Sequence, residues 1–165
     1  MKIGVVSDTH ISSPSDPLPP EMLARFRKEN VELILHAGDI VHHRVLDELS
    51  KTAEVRAVAG NMDPPELKAS LPKRLVIEAG GLRIGLVHGS GPPTRLGERL
   101  LPTFDGDEID ALVYGHSHGR QNDESKGVLL FNPGSAQAAR DGGQASYGIL
   151  TIEDGHVFGE IVRIP

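Results

Sequence analysis

The sequence predicts an α/β fold of two packed β-sheets with helices outside them, and three observations carry that reading. Up to Ala59 the pattern alternates strand, helix, strand, helix, strand, the order that generates crossovers in a largely parallel sheet. Beyond that point the chain breaks into short apolar runs punctuated by turn residues. The strands are too many for one small sheet in a chain of 165 residues, so they divide between two.

Lys2–Val6 is an apolar run of strand length. A Pro- and Ser-rich loop, Ser12–Pro20, follows it, and Pro20 opens a helix, because its missing N–H costs nothing in the first turn. Met22, Leu23 and Phe26 give that helix a buried stripe, and Asn30 closes it. Val31–Leu35 is the second strand. Val41, Val45 and Leu49 recur at i, i+4 and i+8 with Leu46 beside them, which places a second helix from about His42 to Ser50. Val55–Ala59 is the third strand. Leu75–Ala79 and Leu82–Val87 flank Gly80-Gly81, a two-residue hairpin signal. Thr94–Leu101 reads as a short helix capped by Thr94. Ala111–Tyr114, Val128–Phe131, Tyr147–Ile152 and Val157–Ile164 are further strands, the last two joined through Glu153-Asp154-Gly155. One domain over residues 1–165 is expected, since this length buries a self-sufficient core.

Composition narrows the chemistry. With no cysteine, disulfides and thiolate metal sites are excluded, and any metal must be held by nitrogen and oxygen. A net charge of −6 argues against long nucleic acid and anionic membranes as partners. No apolar run approaches the ~20 residues of a membrane span, and Ser7 and Asp8 cut the first one short of a secretory signal, so a cytoplasmic protein is expected.

The ends of the strands carry the functional signal. IGVVSDTH, LILHAGD, VRAVAGN, IGLVHG and ALVYGHSH each stop at or just before a residue able to bind a metal: Asp8 and His10, Asp39, Asn61, His88, then His116 and His118. Ligands gather outside the carboxyl ends of strands in open α/β sheets, so all seven fall on one rim. Singly, each has an ordinary explanation as a turn, cap or core residue. Their conjunction at five strand ends is what turn chemistry does not produce. His116 and His118, at i and i+2, would aim two imidazoles at one point if the strand stayed extended.

The order D-x-H, G-D, G-N, H, G-H-x-H, found as SDTH at 7–10, GD at 38–39, GN at 60–61, HG at 88–89 and GHSH at 115–118, resembles that of the calcineurin-like metallophosphoesterases. The match covers the whole chain. Its short length, the NPGS segment at Asn132–Ser135 and Arg140 make it look like the small bacterial and archaeal phosphodiesterases of that superfamily. The resemblance implies a four-layer α/β/β/α sandwich, two mixed sheets flanked by helices. It implies that Asp8, His10, Asp39 and His118 bind one divalent ion while Asp39, Asn61, His88 and His116 bind another, with Asp39 bridging. Two ions about 3.5–4 Å apart would share a hydroxide nucleophile and clamp a phosphoryl group for in-line attack. Manganese is the expected metal, and the mixed donor set also suits Fe²⁺, Co²⁺ and Zn²⁺. The function implied is hydrolysis of small phosphodiesters, and relatives that form dimers or tetramers make a homo-oligomer a further expectation.

The chain also departs from the family pattern. Many relatives place histidine immediately after the Gly-Asn motif, where this chain has Met62. A thioether donates no proton, so substrates with good leaving groups, such as aryl diesters, are favoured. His42 and His43 are candidate assisting acids, since they open a helix close to Asp39. Asn61, Ser90 and Arg140 are candidate phosphate contacts, with a solvated loop role the competing reading for Ser90 and Arg140. Two alternatives stand beside the diesterase reading: a non-catalytic protein-binding scaffold like the retromer subunit that is similar to this family, and a phosphomonoesterase or nuclease on the same site. Scaffolds tend to lose metal ligands, whereas all seven positions here are chemically competent.

Overall fold

The computed structural model describes residues 1–11, 13, 15–137 and 143–165. In chain order its elements are β1 (Lys2–Val6), α1 (Pro20–Lys28), β2 (Leu33–His36), α2 (Arg44–Ser50), β3 (Glu54–Ala57), α3 (Pro65–Ser70), β4 (Arg74–Ala79) and β5 (Leu82–Val87). There follow α4 (Leu96–Leu100) with a 3₁₀ turn at Leu101–Phe104, β6 (Ala111–Val113), β7 (Gln121–Ser125), β8 (Val128–Asn132), β9 (Ser146–Glu153) and β10 (His156–Arg163). The strands make two mixed five-stranded sheets, ordered β10-β9-β1-β2-β3 and β4-β5-β6-β8-β7. In the first, β1, β2 and β3 run parallel. In the second, β5, β6 and β8 do.

Side-chain alternation makes four layers of this. Ile3, Val5, Leu33 and Leu35 point inward from the first sheet and meet Ile84, Leu86, Ala111 and Val113 of the second. Val6 and Ile34 point the other way, where Met22, Leu23 and Phe26 of α1, Val45 and Leu49 of α2 and Leu67 of α3 cover them. Leu112 and Leu130 form the outer face of the second sheet, under Leu96 and Phe104. Strands covered on both faces read as unbroken apolar runs such as LIL and ALV. Each fully buried Leu or Ile contributes about 1.5–3 kcal/mol. Among the described residues no helix is long and apolar enough to cross a membrane.

Strand boundaries shift from the sequence expectation by one or two residues, and other differences have local causes. Asn30 takes a left-handed φ of 52° just past α1, as a helix-closing residue should. Helix α2 begins at Arg44, not His42, with His43 at its cap position. Thr94 does not cap α4; left-handed Arg95 occupies that position without a side-chain cap bond. The unforeseen elements include α3, whose one buried side chain is Leu67, and β7, whose QNDES carries no apolar pattern. Strand β7 exists because Lys126 and Gly127, both at positive φ, turn the chain back to pair with β8.

Candidate metal centre

Parallel pairing sends the carboxyl ends of β1, β2 and β3 out of one side of the first sheet, and backbone hydrogen bonds knit the loops that follow. Asp8 N donates to Gly38 O at 3.0 Å and His10 N to Asp39 O at 3.1 Å. In the second sheet Gly115 N donates to His88 O at 3.1 Å, joining the β5 and β6 ends. Asp8, His10, Asp39, His116 and His118 all adopt left-handed backbone, with φ between 46° and 67°. Such residues cost about 1 kcal/mol or more each, and five of the eleven left-handed non-glycine residues among the described ones are candidate ligands. It also changes the reading of GHSH: β6 ends at Val113, the extended conformation does not persist, and the two imidazoles part. His118 goes to Asp8 and His10, while His116 goes to Asn61.

The structure brings all seven predicted residues together, and the distances sort them into two groups, both of which approach Asp39. In one, His118 Nε2 lies 3.3 Å from Asp8 Oδ1 and 3.2 Å from His10 Nε2. His10 Nε2 in turn lies 3.8 Å from Asp8 Oδ1 and 3.7 Å from Asp39 Oδ2. In the other, His88 Nε2 is 3.4 Å from Asp39 Oδ1 and 3.0 Å from Asn61 Oδ1, which His116 Nδ1 approaches at 2.9 Å. Asp8, His10 and His118, and separately Asp8, Asp39 and His88, place ligand atoms within 4.8 Å of one another.

The hydrogen-bond inventory shows that these groups fit a cation. Asp8 Oδ2 accepts from Ser7 Oγ at 2.5 Å and from His116 N at 3.1 Å, whereas Asp8 Oδ1 is buried without a hydrogen-bond partner. A buried orphan carboxylate oxygen is costly unless something positive sits beside it. On the other side, His88 Nδ1–H donates to Ala37 O at 2.7 Å and His116 Nε2–H to Gly91 O at 3.1 Å. In the neutral imidazoles this leaves His88 Nε2 and His116 Nδ1 as lone pairs, both directed at the acceptor Asn61 Oδ1. Converging acceptors with no proton between them are what a divalent ion satisfies.

Electrostatics agree. Burial pushes the Asp39 carboxyl up, but the hydrogen bond and charge of His88, the Met62 N–H and His10 outweigh it and hold Asp39 below the usual carboxylate range. For His88, burial disfavours the imidazolium, yet Asp39 and Asp8 together raise its pKa. The negative potential that draws a proton to His88 is the potential a cation would compete for.

His36 behaves oppositely. It is fully buried at the end of β2, its Nδ1 accepts from Gly38 N at 3.2 Å, and its Nε2 faces Thr9 Oγ1 at 3.2 Å. Desolvation lowers its pKa to about 3, so it stays neutral and braces the Gly38-Asp39 turn. Between pH about 3 and 6.5 the unfolded chain binds a proton here that the folded chain does not, so stability falls as pH drops through that window. The deficit grows to an order of 4 kcal/mol at its acid end. Thermal unfolding of chelator-treated protein from pH 7 to 4 should show this slope, and His36→Gln should flatten it. Equal slopes in the two proteins would remove His36 as the cause.

One residue that positions the site, Asp63, was not picked out from the sequence, whereas the NPGS segment was. Asp63 is buried, and its oxygens accept from Val41 N and Gly60 N, both at 2.7 Å, clamping the Asp39 and Asn61 loops together. Ser135 Oγ donates to Asp8 O at 2.8 Å and Asn132 Nδ2 to Gly115 O at 3.0 Å, so the NPGS loop braces two ligand loops. A Cβ on Gly115 would lie 2.7 Å from Asp8 Oδ2, so only glycine allows this approach. Gly119 has no such constraint, because the nearest atom a Cβ there would meet is Ser117 Oγ at 3.6 Å, and the turn is made by left-handed His116 and His118 instead.

The remaining candidates stand further out. Ser90 is exposed and lines a cleft beside His88 and Asn61. His42 and His43 stack on each other at 4.6 Å; His42 Nδ1 accepts from Arg44 N, and exposed His43 faces Asp47. They line a different depression, with Pro64 and Leu67, and none of their recorded partners is a candidate ligand. The Met62 side chain is 51% exposed, and its contribution is the backbone N–H given to Asp39 Oδ1 at 2.7 Å. Arg140 lies outside the described residues.

Comparison with known proteins gives a consistent result. A probable metallophosphoesterase of Methanocaldococcus jannaschii is 39% identical over 142 residues, covering 85% of this chain and 70% of that protein. The crystal structure of Vps29 from Entamoeba histolytica in complex with Zn²⁺ superposes with a TM-score of 0.79 at 28% identity, covering 99% of each chain. An archaeal phosphodiesterase gives 0.78 at 28% identity, covering 98% of this chain and all of that one. The family model for the calcineurin-like phosphoesterase superfamily domain matches residues 1–155. With that model spanning nearly the whole chain, and with Asp and His clusters suited to metal at its strand ends, the protein belongs to the calcineurin-like phosphoesterase superfamily.

Proposed function

We propose that this protein hydrolyses small phosphodiesters with the aid of two divalent ions, manganese foremost. Asp8, His10, Asp39 and His118 would hold one ion, and Asp39, Asn61, His88 and His116 the other. The observation that carries the reading is the orphan Asp8 Oδ1 beside His118 and His10, with Asp39 common to both groups. When bound, such a pair supplies Lewis acidity that makes water nucleophilic at neutral pH and neutralises charge building on phosphoryl oxygens. The chain's own part is orientation. Ala37 O and Gly91 O would fix the tautomers of His88 and His116, Met62 N–H would hold Asp39 as the carboxylate, and Ser90, on the wall of the cleft beside His88 and Asn61, would contact the phosphate. The archaeal phosphodiesterase supports diester over monoester chemistry.

No proton donor occupies the Met62 position, so the leaving group departs with little acid assistance. With Mn²⁺, an aryl phosphodiester should turn over at least about tenfold faster than a simple alkyl phosphomonoester, each tenfold being about 1.4 kcal/mol of barrier. Chelator should abolish both rates, and metal analysis of purified protein gives the stoichiometry. Alkyl monoesters cleaved as fast as the aryl diester would sink the leaving-group argument. A folded protein without metal and without turnover would favour a scaffold role, the reading to which the likeness with Vps29 points.

A further inference from the structure

Beside His88 and Asn61 the surface opens into a cleft of about 630 Å³, within the size range of small-ligand sites. Its wall is unusual for a chain of net charge −6. Lys68 and Lys73 line it together with Ser90, Thr103 and the apolar Val87 and Leu100, and among the described residues no carboxylate does. Depressions elsewhere that contain Arg95 or Lys126 also contain Glu98 or Asp105, and their cations are offset. Both lysines are held near the metal centre. Lys68 Nζ donates to Asn61 O at 2.8 Å, and the chain just before Lys73 is tied to the β3 end by Ala59 N donating to Pro72 O at 2.9 Å. Among the described residues the Lys73 side chain has no ion pair or hydrogen bond, and Asp107 is occupied by the neighbouring Arg74.

Resting on the diesterase reading above, we infer that this cleft is a second-anion subsite, and that the preferred substrate is a phosphodiester of mononucleotide size carrying a second phosphate. The diester phosphorus sits at the candidate metal ligands. Val87 and Leu100 take the flat or apolar body of the substrate, and Lys73, with Lys68, takes the remote phosphate. Two exposed ammonium groups supply a modest preference that weakens with salt. A divalent centre alone would grip the diester and ignore what hangs from it.

The test compares two substrates with the same leaving group, thymidine 5′-(p-nitrophenyl phosphate) and its 3′-phosphorylated form. Wild-type enzyme with Mn²⁺ should show kcat/KM about three- to tenfold higher for the 3′-phosphorylated substrate at low ionic strength, with the ratio shrinking as salt is added. Lys73→Ala should bring the ratio close to one, Lys73→Arg should keep it, and Lys68→Ala should reduce it with metal content measured in parallel. A structural role for Lys73 would lower both rates together and leave the ratio intact, which overturns the inference, as does a wild-type ratio near one. Calorimetric titration of metal-loaded protein with thymidine 3′,5′-bisphosphate against thymidine 5′-monophosphate reads the same subsite without turnover. The bisphosphate should bind several-fold tighter to wild type but not to Lys73→Ala. If neither nitrophenyl ester is cleaved while that binding difference holds, the diesterase reading fails and the subsite stands.

Discussion

Replacing Asp39 with Ala should strip the protein of bound metal and lower phosphodiester hydrolysis by about 10³-fold or more, the scale expected when a first ligand rather than its support is lost. Asp39 is the point where the two groups of side chains meet, with Oδ2 facing His10 at 3.7 Å and Oδ1 facing His88 at 3.4 Å. Its loss removes one of the two carboxylates among the candidate ligands and leaves a cation there with Asp8 as its only carboxylate partner. Asp39→Asn separates charge from shape, since a carboxamide oxygen still accepts from Met62 N–H, where Asp39 Oδ1 now accepts at 2.7 Å. That variant should fold with a near-normal melting temperature and still fail to retain metal. Metal analysis after gel filtration, beside kcat/KM for an aryl diester with Mn²⁺, makes the comparison. Turnover that survives in Asp39→Ala would show that Asp39 does not bridge.

The second large effect is expected from a residue with no chemistry at all. A Cβ on Gly60 would overlap the backbone nitrogen and Oδ1 of Asp39 and lie 2.9 Å from its Cα. Backbone cannot rotate away as a side chain can, so Gly60→Ala must push apart the loops that carry Asp39 and Asn61. Asp63, which accepts from both Gly60 N and Val41 N, resists that separation. Overpacking of this kind costs on the order of 2–4 kcal/mol. At about 2–4 °C per kcal/mol for a domain of this size, the melting temperature should fall by roughly 5–15 °C. Metal affinity should fall with it, because Asn61 and Asp39 face His88 from the two displaced loops. Gly119→Ala is the control, since a Cβ there meets only Ser117, at 3.6 Å or more, and its melting temperature should move by no more than about 2 °C. Equal shifts in the two variants would mean that close packing at Gly60 is not what matters.

Much of this was legible along the chain because its signals are local. Apolar runs of strand length, the Gly80-Gly81 and Asp154-Gly155 turns, and the α1 stripe of Met22, Leu23 and Phe26 each announce an element from neighbouring residues alone. The seven candidate ligands were legible for a related reason, since a parallel sheet exposes the carboxyl ends of its strands and the sequence marks each end with a polar residue. Strand β7 was not legible, because an edge strand of QNDES is stabilised by pairing with β8 rather than by any burial of its own. Helix α3 was missed for want of a stripe, having only Leu67 to bury.

By itself, then, the sequence determined the α/β class, the two-sheet division and the identity of the polar residues at five strand ends, all of which follow from hydrophobic period and turn chemistry within a few residues. Only the tertiary structure decided through which contacts those residues meet. Left-handed backbone at His116 and His118 sends neighbouring imidazoles to separate partners, Asp39 faces both His10 and His88, and Asp63 reveals itself as a clamp between loops. The cationic cleft of Lys68 and Lys73 likewise exists only in space, because its walls come from the loop after β3, from α3, from the end of β5 and from α4 with its 3₁₀ turn. Contacts between residues distant in the chain are set by sheet order and loop packing, and neither is written in any one stretch of it.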